Sequence, residues 1–486
     1  MNVPKVALSH RAVTSVFWNI LVKIISLPLG FIKAIILAHF LPVEDFGIVA
    51  GMVALTTLTS AFFEFGFSGA YYHHSPETED EERATRVFLT LRLLSGLVWG
   101  LLMTIVALIF MSGWQQLTLL LLTATVCLMR FVDAPRSLLV RRVQHRRLAM
   151  LDLGTNLSVF IVSVLIAVYT RSIWALLIAP ILSSILSVCI LYVWRPVWRP
   201  HLSFDKPVIQ YFLRFGSQTA TASTLRIVLD YVDDLWTNIF LGNLQMGYYS
   251  YAFKFATYPR AVLAEPVTAV AQSTYAELKY HRQRLSEAFF NINALLIRSG
   301  FLLGGWLAVI APQFIYIFLG EKWLPMLEPF QLMLVYSLFD PVKNTIAGTL
   351  VAVGKPGKVS VTRLVQLIIL VAGLFIFGFR LGIVGVALAV NLMLLVGIGL
   401  LLYYIKPYVD YSLARLFIVP LGALLTGLGL TWIVTRILDI NSFEWLALIV
   451  KSAVFVVGYT LVLLKLEGRF LVQALNQIKW LWKRWT

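Results

Sequence analysis

The sequence predicts an all-α integral membrane protein of about fourteen transmembrane helices, and three observations carry that prediction. The first is composition: 59% of the 486 residues are hydrophobic and only 13% are charged. The mean hydropathy is +0.83, and soluble domains average about 25% charged residues. A chain this apolar could not cover its own surface in water, so its solvent is lipid. The second is that the apolar residues gather in runs of about 20, the length that crosses a bilayer. The third is that the basic residues sit in the short gaps between those runs.

Taken in order, the runs fall at 15–40, 46–72, 87–111, 117–139, 151–170, 173–194, 214–241, 244–272, 287–318, 326–353, 359–379, 382–405, 411–436 and 444–465. The first follows Lys5 and Arg11, as a signal peptide would. It continues past Lys23 and Lys33 without a small-residue cleavage site, so it reads as a retained membrane helix. Gaps after even-numbered spans carry Arg141, Arg142, Arg146, Arg147, Arg195, Arg199, Lys206, Lys279, Arg282, Arg284, Lys355, Lys358 and Lys406. Gaps after odd-numbered spans hold Arg171, Lys322, Arg380 and Arg436 as their basic residues. The positive-inside rule then puts both termini in the cytoplasm. The gap at 73–86 dissents with Glu77, Glu79, Asp80, Glu81 and Glu82, and reads as a contact with a partner.

These features exclude several functions. A net charge of +16 raises nucleic acid, but here the cations are loop residues rather than one basic face, so no nucleic-acid partner is expected. The outer loops are too short to fold into a catalytic domain. No G-x-x-x-x-G-K-S/T phosphate loop occurs, which removes an ATPase of that type. Cys127 and Cys189 both lie inside apolar runs and offer neither a disulfide framework nor a metal spacing. No catalytic residue, metal site or cofactor is expected. The tail ends in Lys479-Trp480-Leu481-Trp482-Lys483-Arg484-Trp485, which reads as a helix on an anionic membrane surface.

An internal repeat is visible. Phe40-Leu41, five residues and Gly47 recur as Phe240-Leu241, five residues and Gly247, each in the turn after the first helix of a six-helix half. Parallel repeats place a substrate path between two halves near the bilayer midplane.

About a dozen ionisable residues lie inside the spans. At roughly 2.5–3.5 kcal/mol each, facing lipid would cost on the order of 30 kcal/mol, more than the net stability of most proteins. They must therefore pair, snorkel, or face water. Thr219, Ser223, Arg226, Asp230, Asp233 and Thr237 follow spacings of 4, 3, 4, 3 and 4, one stripe along a helix. The stripe reads as a cavity wall, with Asp230 and Asp233 as candidates for coupling to H⁺ or Na⁺. The alternative is a packed seam in which Arg226 pairs with Asp230. Lys23 stands about 12 Å from the cytoplasmic end of its helix and Lys33 near the outer end. Arg298 lies deep in its span, either on substrate or paired with Asp230 or Asp340. Pairing is the reading for Glu64 and Asp133, and pairing or ligand binding for Lys254, Arg260 and Lys343. The surplus is positive. A cationic cavity formed by Lys23, Lys33, Arg226, Lys254 and Arg298 suits phosphate on a lipid carrier.

Several segments resemble one family. Leu37-Ala38-His39-Phe40-Leu41-Pro42-Val43-Glu44-Asp45-Phe46-Gly47, Glu64-Phe65-Gly66-Phe67-Ser68, Leu241-Gly242, and Gly247-Tyr248-Tyr249-Ser250-Tyr251-Ala252 are similar to turn motifs of bacterial polysaccharide flippases. So are Gly320-Glu321-Lys322-Trp323 and Gly354-Lys355-Pro356. These flippases form the exopolysaccharide and O-antigen branch of the multidrug/oligosaccharidyl-lipid/polysaccharide exporter superfamily. The resemblance covers roughly residues 10–360, with Glu64 standing where Asp is commoner.

It implies two six-helix lobes (1–200 and 201–406) around a central cavity, helices 13 and 14 (407–465) and a tail (466–486). It also implies that a polyprenyl-pyrophosphate-linked oligosaccharide is turned from inner to outer leaflet by alternating access. Membrane lipids, a polysaccharide polymerase and glycosyltransferases are the partners expected. The membrane potential and a counter-ion are the candidate driving forces. The alternatives are a multidrug/cation antiporter of the same fold, a lipid II flippase, and a membrane-embedded glycosyltransferase. Unpaired cavity acids would favour the first, and a large outer loop the last.

Overall fold

The computed structural model describes residues 5–73, 81–438 and 443–485. Among them every regular element is helical. A chain in lipid must satisfy its backbone polar groups internally, and a helix does so within one segment. Helices α1 (Lys5–Phe40), α2 (Val43–Phe62), α3 (Phe67–His73), α4 (Glu81–Phe110), α5 (Gly113–Arg141), α6 (His145–Thr170) and α7 (Trp174–Val188) come first. There follow α8 (Lys206–Pro259), α9 (Glu265–Leu278), α10 (Arg282–Phe314), α11 (Leu327–Ala352), α12 (Pro356–Gly373), α13 (Phe379–Ile405), α14 (Leu413–Leu438) and α15 (Glu444–Trp485).

Ten helical stretches among the described residues are long and apolar enough to cross a membrane. About fourteen spans are expected from the sequence, and the difference has a physical origin. Three expected spans, at 214–241, 244–272 and 326–353, are helical but carry most of the intramembrane charges, which lowers their hydropathy. The expected pair at 359–379 and 382–405 forms one 50-residue stretch, Pro356–Ile405, broken at Gly382. Helix α8 is likewise broken, at Gly242 (φ 85°, ψ 174°), a conformation open to glycine and not to residues with a Cβ.

The chain folds into two compact units, Met1–Ser250 and Tyr251–Thr486. The sequence repeat divides it near residue 200 instead. The first segment of α8 and the turn after it pack on α2, which draws residues 206–250 into the first unit. Within that unit α4 packs on α5, α1 on α6, and α7 on both α5 and α6. One core gathers Tyr71, Phe88 and Phe212, another Met52, Trp99 and Leu122. In the second unit α10 packs on α11, α14 and α15, and α13 on α11 and α12. There the buried Trp323 ring stacks on Tyr251 with centroids 4.5 Å apart.

The two repeated turns pack on each other reciprocally. A Cβ on Gly47 would strike the Asn243 carbonyl and lie 2.8 Å from the Gly247 amide nitrogen. A Cβ on Gly247 would strike the Val43 carbonyl and lie 2.9 Å from its Cγ1. Position 43 meets 247 as position 243 meets 47, the signature of a local two-fold relation between equivalent turns. Small residues let membrane helices approach to backbone contact. Polar side chains close the junction: Asn238 Nδ2 and Gln115 Nε2 each donate to Asn243 Oδ1 at 3.0 Å.

Candidate functional site

In the first unit, two buried arginines are balanced by two carboxylates. Arg92 on α4 donates to Asp133 on α5 through Nε at 2.7 Å and to Glu64 through Nη1 at 3.2 Å. Arg130, also on α5, reaches Glu64 at 3.4 Å. Both guanidinium groups are buried, and two carboxylates neutralise them. Glu64 enters this cluster because α2 ends at Phe62 and the chain turns through Phe65 (φ 46°) and Gly66 (φ 65°). Pairing was expected for Glu64 and Asp133. Arg92 was missed, although a charge five residues into an apolar run is itself a signal. In the gap beyond, Glu81 binds Arg142 at 2.6 Å, Glu82 binds Arg86 at 2.5 Å, and Arg83 pairs with Asp205. Glu77, Glu79 and Asp80, which carry most of the expected partner contact, lie outside the described residues.

The polar stripe on α8 changes character along its length. Ser223, Arg226 and Asp230 are exposed, as a wall facing water would be. No hydrogen bond or ion pair to the Arg226 guanidinium is found among the described residues. The far end departs from the expected wall: Asp233 and Thr237 are buried. Asp233 Oδ2 accepts the Tyr249 hydroxyl proton at 2.5 Å, because the chain doubles back at Gly242 and brings the next helix against it. Asp233 Oδ1 and Thr237 Oγ1 are buried without a hydrogen-bond partner among the described residues. The side chain of Thr219 lies outside the described residues. On α1, Lys23 is exposed and Lys33 half-buried.

In the second unit the cations are largely engaged. Asp340 on α11 is buried and binds Arg260 at 2.6 Å, Lys343 at 2.6 Å and Asn344 Nδ2 at 3.0 Å. A second carboxylate, Glu265, lies within electrostatic reach of Arg260. Lys254 is half-buried, with its ammonium 5.1 Å from the centre of the Tyr251 ring. The reading of Arg298 as an open cation, or as a partner of Asp230 or Asp340, is corrected. Its buried guanidinium makes two parallel bonds to Glu467, at 2.6 and 2.7 Å. Its third nitrogen donates to Ala294 O at 3.0 Å, and the Tyr459 hydroxyl donates to the backbone carbonyl of Arg298 at 2.8 Å. Glu467 marks a break in α15 (φ −133°, ψ 26°), after which the helix continues to Trp485. The side chains of the basic aromatic tail lie outside the described residues.

The arrangement is that of a multi-pass membrane protein with buried ion pairs and a partly exposed polar stripe, and no catalytic constellation accompanies it among the described residues. A family model described as polysaccharide biosynthesis protein matches residues 36–328, more than half of the chain, which therefore belongs to that family. The lipopolysaccharide biosynthesis protein WzxC of Escherichia coli (strain K12) is 23% identical over 420 residues, covering 84% of this chain and 83% of its own. The succinoglycan biosynthesis transport protein ExoT of Rhizobium meliloti (strain 1021) is 26% identical over 322 residues, 64% of this chain and 63% of its own. Among solved structures, the lipid II flippase MurJ in an inward closed conformation shares the fold. Its TM-score is 0.75 at 15% identity, over 94% of this chain and all of that one. These relatives are described by transport and biosynthesis rather than by a catalysed reaction.

Proposed function

We propose that this protein moves a polyprenyl-pyrophosphate-linked oligosaccharide from the inner to the outer leaflet of the bacterial cytoplasmic membrane, by alternating access, for surface polysaccharide synthesis. Both termini are cytoplasmic in this reading. The observation that carries it is the exposed Arg226 on the α8 stripe, in a chain of the polysaccharide biosynthesis family. A guanidinium in a spanning helix is costly unless it meets water or an anion. With Lys33 it supplies cations for a pyrophosphate. The likeness to ExoT and WzxC supports a cargo built on sugar, and the prenyl tail of such a cargo stays in lipid.

The membrane potential, negative inside, favours expulsion of an anion by about 2.3 kcal/mol per charge per 100 mV. Counter-transport of H⁺ or Na⁺ would run through Asp230 or Asp233. Glycosyltransferases would deliver the cargo and a polymerase would take it up.

The test is leaflet sidedness of the lipid-linked glycan in cells lacking the protein, complemented with wild type or Arg226→Ala. Inner-leaflet accumulation with loss of surface polysaccharide, restored by wild type alone, is the expected result. Unchanged surface and lipid-linked pools on deletion, with no redundant exporter present, would refute the assignment. Equal rescue by Arg226→Ala would leave the flippase standing and return Arg226 to a structural role.

A further inference from the structure

The second unit carries a cationic groove that the proposed transport does not use. It is an open cavity of about 470 Å³ between α10, α11, α14 and α15. Its polar wall is made by Gln331, Thr431, Thr435, Arg436 and Lys451. The Arg436 guanidinium lies over the exposed Trp432 ring, 5.6 Å from its centre, and Arg436 is itself exposed. The Lys451 ammonium donates to Gln313 Oε1 at 3.1 Å. That uses one of its three protons and leaves two. No carboxylate lines the groove among the described residues. Glu444, two turns earlier on α15, is within electrostatic reach of Lys451, and Asp439 lies outside the described residues.

Depth and surroundings indicate the source of the anion. Arg436 stands in the last turn of α14. Lys451 stands seven residues past Glu444, about 10 Å along the helix at 1.5 Å per residue. Arg436 is thus near one end of the hydrocarbon layer, and the Lys451 stem, about 10 Å in, can extend toward the lipid phosphates beyond that end. Ile433, Ile437, Trp445 and Ile449 are exposed on the same two helices, an apolar flank suited to lipid chains. Basic pockets between membrane helices hold lipid head groups by this combination of charge and apolar flank.

We propose that this groove binds the phosphate of a membrane lipid, held by Arg436 and Lys451, with its chains along α14 and α15. The inference stands apart from the proposed cargo.

The test is native mass spectrometry of the full-length protein in mild detergent, titrated with phosphatidylglycerol. The Arg436→Gln/Lys451→Gln double variant is expected to retain this lipid about tenfold more weakly, and Arg436→Lys within about twofold of wild type. Polyprenyl phosphate and inorganic phosphate serve as competitors. Tighter binding of phosphatidylglycerol supports a phospholipid site, and tighter binding of polyprenyl phosphate would place the site on the cargo's own carrier and overturn its independence from transport. Displacement by inorganic phosphate at equal concentration would mean that the site takes the free anion, and would overturn the lipid assignment. Equal retention by wild type and a monodisperse double variant would overturn the site. If the double variant does not fold, Lys451→Met alone is read in the same way.

Discussion

Arg226 and Arg298 are both arginines inside expected spans, and their surroundings give them opposite roles. Arg226 is exposed, and no ion pair holds it among the described residues. Replacing it by Ala should reduce export while leaving protein yield unchanged, and Arg226→Lys should restore part of the activity, measured as surface polysaccharide per amount of protein. Arg298 is buried in a bidentate pair with Glu467. Removing one partner of a buried pair strands the other charge, at a cost of about 3–5 kcal/mol. Arg298→Met should therefore lower the thermal stability of the purified protein sharply. Combined with Glu467→Gln, the loss should be smaller than the sum of the two single losses, as a double-mutant cycle reads. Additive losses would show that the two side chains do not depend on each other.

Among the elements, the junction of α2 with the turn inside α8 depends on two glycines rather than on large side chains. Gly47 and Gly247 each accept the backbone of the other's repeat. Alanine at either forces the helices apart, an overpacking of about 1–3 kcal/mol. Gly47→Ala and Gly247→Ala should lower the yield of monodisperse protein to a similar extent, because the contact is reciprocal. A large loss for one and none for the other would contradict the local two-fold relation. The broken α8 belongs to the same account. Gly242 turns the chain so that Tyr249 reaches Asp233, which is why the far end of the polar stripe is buried instead of lining a wall.

For the whole molecule, the expected topology makes a direct prediction. With Cys127 and Cys189 replaced, Ser112→Cys should react with a membrane-impermeant thiol reagent added outside intact cells. Gln144→Cys should react only after the cells are opened. Reaction of Gln144→Cys in intact cells would invert the proposed orientation.

Composition and run length made the all-helical membrane class legible, because apolarity and length are local properties that lipid imposes on any chain. The repeat was legible from three matched positions, and the reading of Glu64 and Asp133 as paired followed from the cost of burying charge, while pairing and ligand binding stayed open for Lys254, Arg260 and Lys343. Their partners were not legible. Arg92 meets Asp133 across 41 residues and Arg298 meets Glu467 across 169, distances over which sequence spacing carries no information. Helical periodicity places Arg226, Asp230 and Asp233 on one stripe, but it cannot say which part of that stripe another helix covers. That depended on the break at Gly242 and on the close approach of Gly47 and Gly247, which only the packed chain brings about.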